Sequence, residues 1–169
     1  LALALLFAAI PIGAELGGVF SGWVTRVRRQ GLVIVIAILV WGLAIVGLGV
    51  AVSLAPGAHG PFLALAVVML AIGGAADMAS AAFRTSMLQT AATDSVRGRL
   101  QGVFIVVVAG GPRIADVMHG ASAAMVGSAA AAAGGGVLVV VGTVIAAIAV
   151  PSFVRYRISR HADPTETAR

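Results

Sequence analysis

The chain has 169 residues, of which 60% are hydrophobic and only 10% charged, with a formal net charge of +5 and a mean hydropathy of +1.09. A soluble domain carries roughly a quarter of its residues charged, so water is excluded as the main solvent of this one. The basic excess is all arginine and sits beside apolar runs, which reads as juxtamembrane charge and excludes nucleic-acid binding, while the absence of Cys excludes disulfides and thiolate sites.

Windows of about 20 residues, enough to cross a ~30 Å hydrocarbon core, mark five spans in chain order. The first covers about 1–24 and contains Pro11. An arginine-rich turn with Arg26, Arg28 and Arg29 leads to the second, 31–54. Pro56, Gly57 and Gly60 form a helix-breaking turn before the third, 61–88, which Pro61 is suited to open. Thr93, Asp94 and Ser95 read as a cap, and the fourth span follows at 98–120. An Ala/Gly tract precedes the fifth at about 129–150. From Pro151 to Arg169 the chain is a basic tail, expected to be disordered at its polar end. The predicted class is therefore all-α: a polytopic membrane bundle over 1–150 with a tail over 151–169.

Nine of the eleven Arg lie in three connections: Arg26, Arg28, Arg29; Arg97, Arg99; and Arg155, Arg157, Arg160, Arg169. The alternate connections, around 56–61 and 121–130, hold none. The positive-inside rule places the arginine side and the carboxy terminus in the cytoplasm of a bacterial-type inner membrane. With five spans Leu1 then falls outside, on a bare apolar start without a leader, which suggests upstream sequence.

Lipid supplies no hydrophobic drive between helices, so small residues must carry the packing. Gly13 and Gly17, Gly18 and Gly22, and Gly98 and Gly102 each place two glycines on one helix face. Gly110-Gly111-Pro112 in the fourth span is expected to kink or break it, because proline removes a backbone hydrogen bond.

Five ionisable residues fall inside spans: Glu15, Asp77, Arg84, Arg113 and Asp116. Each costs at least ~2.5 kcal/mol at mid-membrane, so such groups face a bundle interior, a cavity or a partner. Arg113 and Asp116, three apart, are expected to pair. Arg84 lies seven residues after Asp77 on the same face and is expected to snorkel to the cytoplasmic interface, leaving Asp77, like Glu15, without a local partner. A carboxylate held from water can act as a proton carrier or stand in a fixed interhelical pair, and both readings stay open for the acids. His59 and His161 are expected in solvent and His119 at the outer interface. No metal-ligand spacing, phosphate loop or activated nucleophile is present, so neither an enzyme nor a cofactor is indicated.

Three stretches carry a resemblance. The run Ser21-Gly22-Trp23-Val24-Thr25-Arg26-Val27-Arg28-Arg29-Gln30-Gly31 resembles the loop between the eighth and ninth helices of the major facilitator superfamily. Phe83 to Gln89, followed by Thr93-Asp94-Ser95-Val96-Arg97-Gly98-Arg99, is similar to the end of the tenth helix and the loop into the eleventh. With the opening Ala8-Ala9-Ile10-Pro11, the pattern is most similar to the enterobactin-exporter branch, which moves drugs and siderophores outward. The resemblance implies the carboxy-terminal part of a proton-coupled secondary transporter, whose partners are the lipid bilayer, a small-molecule substrate and a missing amino-terminal half. Glu15, Asp77, Arg113 and Asp116 would line its half of the cavity. Arg26 stands where the superfamily loop usually has an Asp, and Arg29 where it has a Gly, so the charge contact made by that Asp is in doubt here. The alternative is a truncated non-transporting remnant, or a half that requires a separately encoded partner. The reading frame upstream of Leu1 separates these two.

Overall fold

The computed structural model describes residues 1–19, 27–54, 60–91 and 94–157, the side chains of 91 and 94 excepted. Gly22, Trp23 and Arg26, the 55–59 turn with Pro56, Gly57 and His59, Thr93, the Asp94 side chain, and the tail beyond Arg157 with Arg160, His161 and Arg169 lie outside the described residues.

Among the described residues six helices follow in order: α1 (Ala2–Val19), α2 (Gln30–Leu54), α3 (Pro61–Ala91), α4 (Asp94–Val126), α5 (Ser128–Ala149) and α6 (Pro151–Val154). The first five are long and apolar enough to cross a membrane. Among the described residues there is no strand, and the fold class is all-α as the composition requires.

Local chemistry sets the helix ends. Gly60 adopts a φ of +64° just ahead of Pro61, a left-handed conformation open to glycine at little cost. Gly127 does the same at +85°. Its N–H donates to the Ala123 carbonyl at 2.9 Å and its own carbonyl accepts from Ala131 at 3.0 Å. One residue therefore closes α4 and opens α5, where the sequence suggested a connection over 121–130.

Close backbone approach holds the bundle together. α3 packs against both α1 and α2, α2 packs against α5, and α5 carries α4. Between α1 and α3, a Cβ built on Gly13 would collide with the Ala71 carbonyl, one on Gly74 with the Ile10 carbonyl, and one on Gly17 would come within 3.0 Å of the Ala75 oxygen. Between α2 and α5, a Cβ on Gly136 would lie 2.7 Å from the Gly42 oxygen, and one on Gly49 2.6 Å from the Ala133 nitrogen. The expected Gly13/Gly17 face is thus a real seam. Gly18 meets only Met78, at 3.7 Å. Gly98 and Gly102 have nothing within 4 Å, which corrects their reading as a packing face. They sit on α4, whose most apolar stretch buries none of its residues. Large apolar side chains such as Phe7, Val106 and Leu138 point outward, as a lipid-facing surface requires, while small Ala9, Ala37, Ala44 and Ala51 fill the interior.

Gly110-Gly111-Pro112 does not break α4: the helix is continuous through Pro112. A single missing N–H removes one bond of the ladder, and the flanking turns keep theirs.

Contacts at one end of the bundle gather the arginines. Gln30 at the start of α2 donates from Nε2 to the Ser86 Oγ of α3 at 3.3 Å, and Gly31 abuts the Phe153 carbonyl of α6. Ile34, Met87, Leu88, Leu100, Phe104 and Phe153 share a cavity there. Arg28, Arg29, Arg97, Arg99, Arg155 and Arg157 are consequently at this one end, all exposed. The tail thus begins with a helical turn docked on α2.

A Gly136→Val substitution is expected to destabilise the fold by about 1–3 kcal/mol through overpacking, seen as a lowered unfolding midpoint in detergent. Gly134→Ala, at an open position, should leave the midpoint unchanged or slightly raised.

Candidate functional site

The polar residues inside the spans are few, and α3 carries the most informative group. Asp77, Ser80 and Arg84 follow an i, i+3, i+7 stripe, which a 3.6-residue helix lays along one face. The Arg84 Nη2 lies 3.5 Å from the Asp77 Oδ1, and the Arg84 Nε donates to the Ser80 carbonyl at 3.3 Å. Arg84 therefore reaches back up its own helix while also lining the cavity at the arginine-bearing end, and Asp77 has a local partner. The physical reason is cost: two charges inside a bilayer are each expensive, and the long arginine stem lets them meet across two turns. The pair is not sealed, since the Asp77 side chain remains 66% exposed and that of Arg84 37%.

This stripe borders a cavity of about 290 Å³ between α2, α3 and α5, closed on its apolar sides by Ala37, Ile38, Trp41 and Val139. Ser80 is 2% exposed, lines the cavity, and its Oγ has no hydrogen-bond partner. A second cavity, of about 300 Å³, lies between α2, α4 and α5 and shares Trp41 and Val139 with the first. His119 lines it and lies against Gly135, where a built Cβ would come 3.1 Å from Nε2. His119 is exposed on α4, which continues past it to Val126.

The other sequence candidates stand apart. Gly13 and Gly17 face α3, and Glu15 is about 200° round the helix from Gly13, so it is exposed on the far side of α1. Arg113 and Asp116 are exposed on α4, and no ion pair joins them. That corrects the expected pairing: each is left on a face that α5 does not cover. Arg28, Arg29, Arg97 and Arg99 occupy the arginine-bearing end with Gly98. Among the described residues no group of three His, Cys, Asp or Glu could hold a metal ion.

Sequence reasoning missed Trp41, Ser80 and Gln30. Ser80 was findable, as the hydroxyl midway on the Asp77/Arg84 stripe. Gln30 was read as part of a turn, yet it is 1% exposed with Oε1 unpaired. The place of Trp41 depends on which faces of α2 meet α3 and α5, and a uniformly apolar helix does not advertise that.

Comparison with known proteins bears on what this arrangement belongs to. The chain is 32% identical over 120 residues to the enterobactin exporter EntS of Shigella flexneri, and equally to that of Escherichia coli O139:H28 and O157:H7. The matched stretch is 71% of this chain and 27% of the exporter, so the chain spans about a quarter of the length of the curated relatives it matches. No family model matches, and no solved structure does. With five apolar helices in one bundle, this likeness places the chain in the major facilitator superfamily.

Replacing Asp77 by Arg should lower the folded-to-unfolded ratio about fivefold, of order 1 kcal/mol, by setting two guanidinium groups together. The exchanged pair Asp77→Arg with Arg84→Asp should recover most of it. Folded yield in detergent reports both.

Proposed function

We propose that the chain forms the carboxy-terminal part of a proton-coupled secondary transporter that exports small organic compounds, of the drug or siderophore class, across the inner membrane. The observation that carries this is the 32% identity over 120 residues with an exporter. α1 to α5 then stand as the eighth to twelfth helices, and an amino-terminal half supplies the other wall of a midplane site. The arginines gathered at one end of the bundle fit a cytoplasmic face for that end and for the carboxy terminus.

In this reading the work is carriage, with no bond made or broken. The exposure of Asp77, Arg113, Asp116 and Glu15 on faces the bundle leaves uncovered fits residues that meet water, substrate or the other half. Asp77 or Glu15 exchanges a proton. Protonating Asp77 would free the Arg84 guanidinium, which links proton uptake to a change in the cavity wall. Arg113, unpaired with Asp116 on its own helix, is available to an anionic substrate group. The loop with Gly22, Arg26, Arg28 and Arg29 and the turn with Asp94, Arg97, Gly98 and Arg99 flank the cytoplasmic gate.

The test uses the complete reading frame that contains this sequence. Glu15→Gln, Asp77→Asn, Arg113→Gln and Asp116→Asn are compared for efflux driven by an imposed proton gradient in membrane vesicles. Loss of coupled efflux by about tenfold or more in at least one acid variant is expected, matching removal of a ~1.4 kcal/mol interaction. Unchanged coupled transport in all four contradicts the assignment.

A further inference from the structure

The cavity at the arginine-bearing end has a volume of about 310 Å³ and an apolar wall of Ile34, Met87, Leu88, Leu100, Phe104 and Phe153. Arg84 also lines it, with its guanidinium already engaged by the Ser80 carbonyl and Asp77. The cleft exists because α4 is carried by α5 and meets α3 only weakly, and its own glycines near this end, Gly98 and Gly102, touch nothing within 4 Å. Its depth and its mouth differ in exposure: Ile34 is 2% exposed, whereas Leu100 is 43% and Phe153 37% exposed. The opening is thus edged by apolar side chains of α4 and α6. At ~1.5 Å per residue from the start of α4, Leu100 and Phe104 stand about 9 and 15 Å along the helix, within the ~15 Å hydrocarbon depth of one leaflet.

Charge is arranged to match. Arg97 precedes Leu100 by three residues and Phe104 by seven, so the three share one face of α4, with the arginine nearest the helix end. Arg28, Arg29, Arg99, Arg155 and Arg157 are exposed at the same end. The acids whose side chains are described, Glu15, Asp77 and Asp116, all lie within spans, and none lines this cleft. A soluble anion has no use for the apolar depth, and a neutral lipid has none for the arginines. The two features together fit a molecule that carries both an acyl chain and an anionic headgroup.

We propose that this cleft holds one acyl chain of an anionic phospholipid from the arginine-side leaflet, with the headgroup phosphate on Arg97 and its neighbouring arginines. Guanidinium forks take phosphate oxygens in paired, charge-assisted hydrogen bonds. The chain fills the space between α2, α3 and α4, and so braces α4 where it has no glycine seam. The ligand is a component of the bilayer rather than a transported compound, so the inference stands apart from the export reading.

The experiment is photolabelling of the product of the complete reading frame in phosphatidylcholine nanodiscs, with a trace of phosphatidylglycerol bearing a diazirine midway along one chain. Labelled residues are mapped by mass spectrometry. Labelling is expected on the segments with Leu88, Leu100 and Phe104, about tenfold above that from the same probe with a choline headgroup. It should fall in high salt, which screens the headgroup contact, and about fivefold in Arg97→Gln, the worth of one basic residue near an anionic surface. Leu100→Trp, which fills the cleft, should suppress it at unchanged charge. If Arg97→Gln fails to accumulate, the salt series on the unaltered protein reads the same contact. Excess glycerol phosphate, a headgroup without a chain, should not displace the probe. The proposal is overturned if the glycerol and choline probes label equally, if label falls chiefly on the outward face of α5 at Leu138, or if glycerol phosphate abolishes labelling. It is also overturned if these segments stay unlabelled in the complete protein, or are labelled only after removal of residues 158–169, since protein then occupies the cleft.

Discussion

Backbone-to-backbone approach at two glycine and alanine seams is the constraint on which the rest of this bundle depends. Nothing in a bilayer pushes apolar helices together, so the contacts that remain are dispersion at short range and whatever the helix surfaces permit. At Gly13, Gly17 and Gly74 the backbones of α1 and α3 come so close that a methyl group has no room, and the same holds at Gly42, Gly49 and Gly136 between α2 and α5. Those seams fix which faces of α2 and α3 point inward, and thereby place Trp41 and the Asp77-Ser80-Arg84 stripe on one cavity. α4 has no such seam. Its glycines at 98, 102, 110 and 111 have nothing within 4 Å, so Arg113 and Asp116 stay on an open surface.

The ion pair on α3 follows from the same economy. An isolated charge inside a membrane is costly, whereas two that share one helix face can neutralise each other without a neighbouring helix. Because Asp77 is largely exposed, the pair is not sealed within the bundle. A 3.5 Å pair beside an unsatisfied hydroxyl is a loose polar group rather than a rigid network. Its partners can be exchanged at little cost, which a rigid, fully satisfied network would prevent.

The sequence disclosed the fold more readily than the site. Hydropathy, Gly60 and Pro61, and the arginine stretches were enough for five apolar helices, because membrane spans have a length and a composition that no other class shares. The α4 to α5 boundary was blurred: the Ala/Gly tract around 128–136 suits a loop or a packed helix equally, and the structure resolves it by a single positive φ at Gly127. The pair expected at Arg113 and Asp116 and the one formed by Arg84 and Asp77 both satisfy helical spacing. What separates them is which helix faces are covered, and this depends on seams such as Gly42 with Gly136 that join residues 94 positions apart. Pro112 does not interrupt α4, since one lost hydrogen bond is small beside the ladder that continues on either side.

The claim that most needs a direct reading is that the Asp77 face of α3 lines a water-accessible path rather than lipid. The present sequence contains no Cys, which allows Asp77→Cys to be introduced as the one thiol in an otherwise cysteine-free version of the complete reading frame. Modification of that thiol by a water-soluble, membrane-impermeant reagent is expected, at a rate well above that of a Leu138→Cys control on the outward face of α5. Reaction of the thiol at 77 solely with a lipid-soluble maleimide, at the rate of the Leu138→Cys control, would contradict the placement of a transport cavity on this side of the bundle.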